Sequence, residues 1–273
     1  MANTLYVVGT PIGNLNDFSS RAIETLNKVD FIAAEDTRVT LKLLNHFNIK
    51  KPLISYFEHN KMQRGEEIIN RILSGEDCAI VSDAGMPCIS DPGEELIKDC
   101  SKKGIKTIVI PGPCALISAL AVSGLNTKRF TFEGFLSVTK KSRTEHLESL
   151  VHEKRTMIFY EAPHKLPNTL KDFYKYFGDR KLSIVREITK IYEEVIRTTT
   201  KEALEKYTNE PLKGELVLVL EGKNEEVLNY TMEDAINLSN DLINKGYKIT
   251  DAAKETSKIT NIKKSEIYKE LTK

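Results

Sequence analysis

The segment 78–120 contains the same succession of three parts twice: CAIVSDAGMPCISDPGEELIKDCSKKGIKTIVIPGPCALISAL. Each time a short apolar run (Cys78–Asp83, then Thr107–Ile110) is followed by a loop rich in glycine and proline, and then by a helical pattern (93–103, then 114–123). Short apolar runs bounded by turn residues predict buried strands. Strands that alternate with helices are typical of βαβ units, so this stretch predicts an α/β fold with a mostly parallel sheet.

The rest of the first half repeats this alternation. Further strands are expected at Leu5–Thr10 and Phe31–Asp36, and further helices at 17–28, 37–47 and 61–73. Asp36 or Thr37 is expected to cap the helix at 37–47, and Asp91 with Pro92 the helix at 93–103, because such residues satisfy the free amides of a first turn.

The pattern changes after Gly124. Strands are expected at Phe130–Leu136, Thr156–Ala162, Leu182–Thr189, Glu194–Thr200 and Glu215–Glu221. Some connections between them are too short for a helix, which predicts a mixed sheet. From about residue 223 the pattern is helical, at Ala235–Leu242, Ile249–Ile259 and Lys264–Leu271. We therefore expect an N-terminal domain at 1–127, a C-terminal α/β domain at 128–222 and a small helical tail at 223–273.

The composition excludes several classes of protein. The chain has 273 residues, 40% hydrophobic and 29% charged, which excludes a disordered chain. Its apolar runs of about 6–9 residues fall short of the roughly 20 that span a bilayer, so no membrane contact is expected. The N-terminal stretch MANTLYVVGTPIGN lacks the features of a secretory signal, which argues against a secreted scaffold. A cytoplasmic protein is expected.

The cysteines are expected to be buried thiols. No CxxC pair occurs among the four cysteines, which are Cys78, Cys88, Cys100 and Cys114. Their spacing argues against a zinc knuckle. The sequence has no HExxH motif, and Ser82 does not lie in a GxSxG turn. Neither a metal site nor hydrolase chemistry is therefore expected.

The charge is unevenly distributed along the chain. The net charge is +1, but residues 137–190 carry +5 and residues 244–273 carry +4. Two basic segments are consistent with a local anionic partner and equally with solvated helix faces. The tail resembles a helix-turn-helix pair, which leaves open a packing tail, a dimer brace or a contact with nucleic acid.

Three rigid turns follow predicted strands. Gly9–Asn14 (GTPIGN) has Pro11 where a dinucleotide fingerprint needs its second glycine, so it predicts a pocket wall. Val81–Gly93 (VSDAGMPCISDPG) and Ile110–Ala115 (IPGPCA) are the other two. Asp83 at a strand end can accept hydrogen bonds from a ribose or an amine. Because ligands bind at the carboxyl ends of parallel strands, the three turns predict a site for a nucleoside-like ligand.

The second half places cations beside carboxylates at two strand exits. Phe159–Lys165 (FYEAPHK) and Arg186–Glu194 (REITKIYEE) each follow a predicted strand. Surface ion pairs would explain one such group by itself, whereas two at equivalent places are consistent with a functional role.

Taken together, nine motifs resemble one family. They are GTPIGNLNDFSSRA, AAEDTR, the EHN-containing segment at 57–64, VSDAGMPCISDPG, IPGPCALISAL, FEGFL, FYEAPHK, REITKIYEE and GELVLVLEG. In this order, over about residues 4–222, they resemble the bacterial 16S rRNA cytidine-2′-O-methyltransferases, a branch of the tetrapyrrole methylase superfamily. The helical tail also resembles a small extension seen in that family.

The resemblance implies two α/β domains of the tetrapyrrole-methylase type with S-adenosylmethionine in the cleft between them. It also implies a homodimer that methylates a cytidine ribose in the decoding centre of 16S rRNA, within the small ribosomal subunit, and no metal is required. The cofactor-binding residues that it implies are Pro11, Val81, Ser82, Asp83, Met86, Cys114, Ala115, Tyr160 and Leu220.

In such a reaction the ribose hydroxyl must lose a proton, since the sulfonium is already a good leaving group. We expect Glu161, Glu187 or Lys190 to accept that proton. Cationic side chains are expected to hold RNA phosphates, and they are Arg38, Lys140, Lys141, Arg143, Lys165 and Arg186.

Two other functions stay open. A methylase of the same superfamily that acts on a corrinoid or another small molecule would share the cofactor loops but needs a deep acceptor pocket. A non-enzymatic RNA-binding factor would keep the fold and not bind the cofactor.

Overall fold

The structure is a computed structural model that describes residues 4–210, 212–224 and 230–272. The first half contains the strands β1 (Thr4–Val8), β2 (Phe31–Ala34), β3 (Leu53–Ser55), β4 (Cys78–Val81) and β5 (Lys106–Ile110). Between and after them lie the helices α1 (Ser20–Lys28), α2 (Thr37–His46), α3 (Lys61–Leu73), α4 (Glu94–Lys102) and α5 (Ala115–Ser123).

The second half contains the strands β6 (Phe130–Phe135), β7 (Thr156–Glu161), β8 (Lys181–Arg186), β9 (Glu194–Thr199) and β10 (Leu216–Leu220). Its helices are α6 (Lys140–Ser149), α7 (Leu166–Phe177), α8 (Thr200–Tyr207), α9 (Met232–Asn244), α10 (Ile249–Thr260) and α11 (Lys264–Leu271). Two single turns of 3-10 helix occur at Leu15–Asp17 and Pro163–Lys165.

The first sheet is parallel, as predicted. Its order is β3-β2-β4-β1-β5, so β1 and β4 are neighbours and the loops that follow them leave the sheet side by side. Strands β2 and β4 are fully buried because helices cover both faces of the sheet. Strand β3 was not predicted, since its three residues are too short to give an apolar run.

The second sheet is mixed, as predicted. Its order is β6-β7-β10-β8-β9, with β6 and β7 parallel and the other pairs antiparallel. Strand β10 lies in the centre and is buried along its whole length, which its unbroken sequence LVLVL requires. One face of the sheet packs against α7 through Phe159, Phe173 and Leu218.

Helix α5 packs against the second sheet although its sequence follows the first. Leu116 and Leu120 lie in one hydrophobic cluster with Val217 of β10. Both ends of α5 are bonded to the second sheet, since Leu116 N–H donates to the Tyr160 hydroxyl (3.2 Å) and Arg197 donates to the carbonyls of Val122 and Ser123. These bonds satisfy groups that a helix end leaves free. The predicted boundary at 127/128 remains a prediction, and α5 links its two sides.

The predicted helix caps differ in outcome. Asp36 caps α2, and its carboxylate accepts the Arg38 N–H at 2.8 Å. Asp91 does not cap α4, so that prediction is wrong: the N-cap is Gly93, with no side-chain hydrogen bond. Pro92 and Gly93 separate Asp91 from Glu94, the first residue of α4, so Asp91 lies too far from the start of the helix to cap it.

The C-terminal helices form a separate compact unit, Asn224–Lys273. Ala235, Ala253 and Ile267 form its core, and Ser239 donates a buried hydrogen bond to Thr256 (2.9 Å). The three predicted helices of the tail are present, and residues 225–229 and 273 of the predicted tail lie outside the described residues.

Two further sequence expectations bear on the fold. All four cysteines are free; Cys78 and Cys100 are buried, whereas Cys88 and Cys114 are half-buried. Within the described ranges, none of the helices has the length and apolar character needed to cross a bilayer.

The three loops after β1, β4 and β5 are held together by backbone contacts. Thr10 N–H donates to the Gly85 carbonyl (2.8 Å) and Gly85 N–H donates to the Thr10 carbonyl (3.1 Å). Gly9 N–H donates to the Ile110 carbonyl (3.1 Å), and a Cβ atom at Gly112 would lie 2.8 Å from the Gly9 Cα. A side chain cannot fit there, so both glycines are needed for this close approach.

We predict opposite effects of Gly112→Ala and Gly65→Ala on stability. Alanine at 112 collides with the Gly9 backbone and should lower the free energy of unfolding by about 1–3 kcal/mol. Alanine at 65, inside α3, meets its nearest atom at 3.7 Å and should raise it by about 0.5–1 kcal/mol. Urea denaturation measures both. Equal effects of the two substitutions would contradict the tight loop contact.

Candidate active site

A cavity of about 260 Å³ lies where the three loops face the second sheet. The loops contribute Ile12, Ala84, Gly85, Met86, Ile89, Ser90, Asp91, Cys114 and Ala115 to its wall. The second sheet and its exits contribute Phe135, Tyr160, Glu161, Ile188, Glu215, Leu216 and Val217. A concave, largely apolar wall with a few polar groups is typical of a small-molecule site.

The predicted cofactor residues separate into three groups. Met86, Cys114, Ala115 and Tyr160 line the cavity. Pro11, Ser82 and Asp83 line a neighbouring hollow beside α2. Val81 and Leu220 are buried in hydrophobic clusters and line neither.

Leu220 lies outside the cavity wall because of its place along β10. Leu216 and Val217, at the start of the strand, line the cavity, and Leu220 lies about 10–14 Å further along at the usual rise per residue. A sequence pattern identifies a central strand but not which end faces a ligand. Sequence reasoning also missed Ile12, although Ile12 lies within the GTPIGN turn.

Tyr160 forms a fixed part of the cavity wall. Its ring contacts those of Phe132 and Phe135, at centroid distances of 5.0 and 5.5 Å. Burial raises the pKa of its phenol to about 12, so the hydroxyl stays protonated at neutral pH. Since that hydroxyl accepts the Leu116 N–H, Tyr160 joins the second sheet to α5 at the edge of the cavity.

Asp91 is the cavity residue with the most unusual electrostatics. Burial, followed by the negative charges of Glu35 and Asp83, raises the pKa of its carboxyl to about 7. Burial also raises the pKa of both neighbours. Asp91 makes no hydrogen bond or ion pair with another described residue. The loop before it is strained, since Cys88 and Ser90 have φ angles of 72° and 62°.

Glu161 lies in the cavity wall at the end of β7 and is 5% exposed. One carboxylate oxygen accepts the Ala162 N–H at 2.8 Å, and the other accepts the Thr169 hydroxyl. The Arg143 guanidinium donates to Thr169 (2.8 Å) and to Asp172 (2.7 Å). This network of hydrogen bonds fixes the orientation of the Glu161 carboxylate in the cavity wall.

The other two predicted bases are paired with each other. Lys190 Nζ lies 3.0 Å from Glu187 and 3.1 Å from Glu215. A hydrogen bond from the Glu215 N–H, then one from Lys190, lowers the pKa of Glu187. Burial acts to lower the pKa of Lys190, but its bonds to Glu187 and Glu215 outweigh burial and raise it. A Cβ at Gly13 would lie 2.5 Å from the Lys190 Cγ, so this turn packs on the first loop.

The predicted phosphate-binding residues differ in accessibility. Lys140 and Lys141 are exposed at the start of α6, and Lys165 is half-buried. The Arg38 side chain is 86% exposed but bonded to Asp36. Arg186 donates to Glu194 and to the Lys213 carbonyl.

The RNA-binding assignment of Arg143 stays a prediction, and the structure shows that its side chain has internal partners. Its side chain is 17% exposed, and its guanidinium is bonded to Thr169 and Asp172. That guanidinium therefore supports Thr169 behind Glu161 and is not presented to solvent. Across the described ranges, no group of three or more His, Cys, Asp or Glu side chains is placed to hold a metal.

Comparison with solved structures gives the same fold. Uroporphyrin-III-C-methyltransferase from Thermus thermophilus superposes with a TM-score of 0.56 at 17% identity, over 80% of this chain and 94% of that one. A diphthine synthase superposes with a TM-score of 0.58 at 13% identity, over 80% and 89%. At these identities the likeness concerns the fold.

Comparison of sequences gives the family. The family described as Tetrapyrrole (Corrin/Porphyrin) Methylases matches residues 4–204. Proteins named ribosomal RNA small subunit methyltransferase I are 45% identical in Synechocystis sp. (97% of this chain, 95% of that protein) and 44% identical in Bacillus subtilis (97% and 92%). In Halalkalibacterium halodurans the identity is 52%, over 82% and 78%. This chain belongs to the tetrapyrrole methylase family, in the group named ribosomal RNA small subunit methyltransferase I.

Proposed function

We propose that this protein transfers the methyl group of S-adenosylmethionine to the 2′-oxygen of a cytidine ribose in the 16S rRNA of the small ribosomal subunit. The observation that carries the proposal is the cavity formed by the three glycine-rich loops and the second sheet, in a chain whose relatives are named rRNA small subunit methyltransferases. We further propose that it acts in the cytoplasm as a homodimer.

The cavity residues fit such a methyl donor. Met86, Ala115 and Val217 offer an apolar surface to an adenine ring, and Asp91 places a carboxyl group in the same wall, where a cationic ligand would be attracted. S-adenosylmethionine, when bound, supplies an electrophilic methyl group on a positively charged sulfur. The cavity wall holds no Lys or Arg among the described residues, so none repels that charge.

The second requirement is a group that accepts the hydroxyl proton of the ribose. Asp91 and Glu161 both line the cavity and both carry carboxyl groups. A base with a pKa near 7 is ionised at physiological pH and still binds a proton well, which favours Asp91. Glu187 and Lys190 remain candidates from the sequence, but their ion pair favours a role in fixing the turn between β8 and β9.

The RNA is proposed to contact the second domain. Lys140 and Lys141 start α6 with exposed side chains, and the Lys141 ammonium lies 3.9 Å from Glu145, a weak surface pairing. Such cations are free to replace counterions along a phosphate backbone. Lys165 completes the proposed contact beside the exit of β7.

The proposal predicts transfer of label to one ribose. Small ribosomal subunits from cells that lack this activity would be incubated with the protein and methyl-labelled S-adenosylmethionine, then digested with nucleases. We expect label on the 2′-oxygen of a single cytidine. Label on a base would contradict the ribose assignment. Cofactor binding without any label on RNA would favour a small-molecule acceptor, such as a corrinoid, and failure to bind the cofactor would favour an RNA-binding factor.

A second prediction concerns pH. The kcat/KM of methyl transfer should rise with pH and level off above about 7, because kcat/KM reports the free enzyme and Asp91 must be ionised. Asp91→Asn should lower kcat/KM by about 10²- to 10⁴-fold and abolish the inflection. Asp99→Asn, on a surface carboxylate paired with Lys102, is the matched control and should change neither. Wild-type kinetics in Asp91→Asn, with loss in Glu161→Gln, would transfer the role to Glu161.

A further inference from the structure

The C-terminal unit carries a groove that the methyl-transfer site does not use. It has a volume of about 590 Å³ and opens widely to solvent. Its walls come from the first turn of α10 and from the start of α11, and the lining residues are Thr250, Lys263, Lys264, Ser265 and Tyr268. Two of these side chains are cationic and none is a carboxylate, so the groove is suited to an anionic partner.

Within the described residues, the polar groups of the groove have no competing partners. Lys263 and Lys264 make no ion pair with another described residue, whereas Lys258 on α10 lies 2.7 Å from Glu255. The hydroxyls of Thr250, Ser265 and Tyr268 likewise form no hydrogen bond within the described part of the chain. Five side chains that carry donors therefore border one groove and have no acceptor among the described residues.

An aromatic side chain accompanies the lysines. Tyr268 lines the groove and is 40% exposed. Exposed aromatic rings beside cations are the combination that single-stranded nucleic acids bind, since bases stack on the rings and phosphates pair with the cations.

The groove is held in shape by the packing beneath it. Helix α10 ends at Thr260 and is followed by the C-cap Asn261, whose φ angle of 56° is left-handed, and Ser257 donates to the Ile262 carbonyl at 2.7 Å. Ala253 and Ile267, both fully buried, fix α10 against α11. The lysines therefore project from a rigid turn, which reduces the entropy lost on binding.

We propose that this groove binds single-stranded RNA, with Lys263 and Lys264 contacting phosphates and Tyr268 stacking on a base. Residues 244–273 carry a net charge of +4, which complements a polyanion. The inference rests on the proposed function in taking RNA as the partner, and it assigns the C-terminal unit a second contact with that substrate. It selects nucleic-acid contact among the roles that the sequence left open.

The test compares two double variants of the full chain with equal changes in charge. Lys263→Gln with Lys264→Gln removes the groove cations, and Lys245→Gln with Lys258→Gln removes two exposed lysines elsewhere in the same unit. The probe is a single-stranded RNA of about 12 nucleotides, within the usual site size. Its Kd is measured over a series of salt concentrations, and kcat and KM are measured on unmethylated small ribosomal subunits.

We expect the groove variant to raise Kd about tenfold at low salt and to reduce the slope of log K against log salt by about 1.4, since two phosphate contacts are lost. The KM for subunits should rise and kcat stay unchanged. In the control variant, the change in this slope should be less than half of the change in the groove variant. Equal behaviour of the two variants, in an enzyme that methylates subunits, would overturn the inference and leave the proposed function standing.

Other outcomes separate the two proposals further. RNA binding that depends on Lys263 and Lys264, in a protein that methylates no ribosomal RNA, would support the groove and contradict the proposed function. Binding of phosphatidylserine vesicles without binding of RNA would make the groove a membrane contact and overturn the inference. Tyr268→Phe should retain RNA affinity and Tyr268→Leu should lose it, because only the former keeps the ring.

Discussion

The close approach of Gly9 to Gly112, together with the paired hydrogen bonds between Thr10 and Gly85, is the constraint on which the rest of the site depends. It brings three loops from three strands into backbone contact at one edge of the first sheet. Side chains at these points would push the loops apart. The contact thereby converts three local turns into one wall, with Met86 beside Gly9, and the second sheet supplies the opposite wall.

Helix α5 transmits this arrangement to the second sheet. It begins directly after the third loop, and its two ends are bonded to Tyr160 and Arg197. The cavity therefore belongs to neither sheet by itself. The electrostatics of the cavity follow from the same geometry. Asp91 is buried near the negative charges of Glu35 and Asp83, and the described cavity wall contains no cation. Holding such carboxyls in a folded protein costs stability, and groups of this kind are typical of functional sites.

The sequence predicted most of the fold and part of the site. The hydrophobic patterns of long elements such as α3 and of central strands such as β10 are clear enough to identify these elements from the sequence. Strand β3 has only three residues, too few to form such a pattern. The glycine- and proline-rich turns located the cavity edge. The sequence could not reveal that Asp91 faces the cavity and does not cap α4, because its burial depends on loops distant in sequence. It also could not reveal that Arg143 is bonded to Asp172, a contact between two helices.

If the cavity at the three loops holds the methyl donor, as we propose, it should also bind the demethylated product S-adenosylhomocysteine, and calorimetric titration measures that binding. Ala115 lines the cavity at the start of α5, whereas Ile117, two residues on, is 48% exposed. We expect the wild type and Ile117→Phe to bind alike, and Ala115→Phe, which fills the cavity, to lose binding while remaining folded. Unchanged affinity in Ala115→Phe would contradict the proposed site.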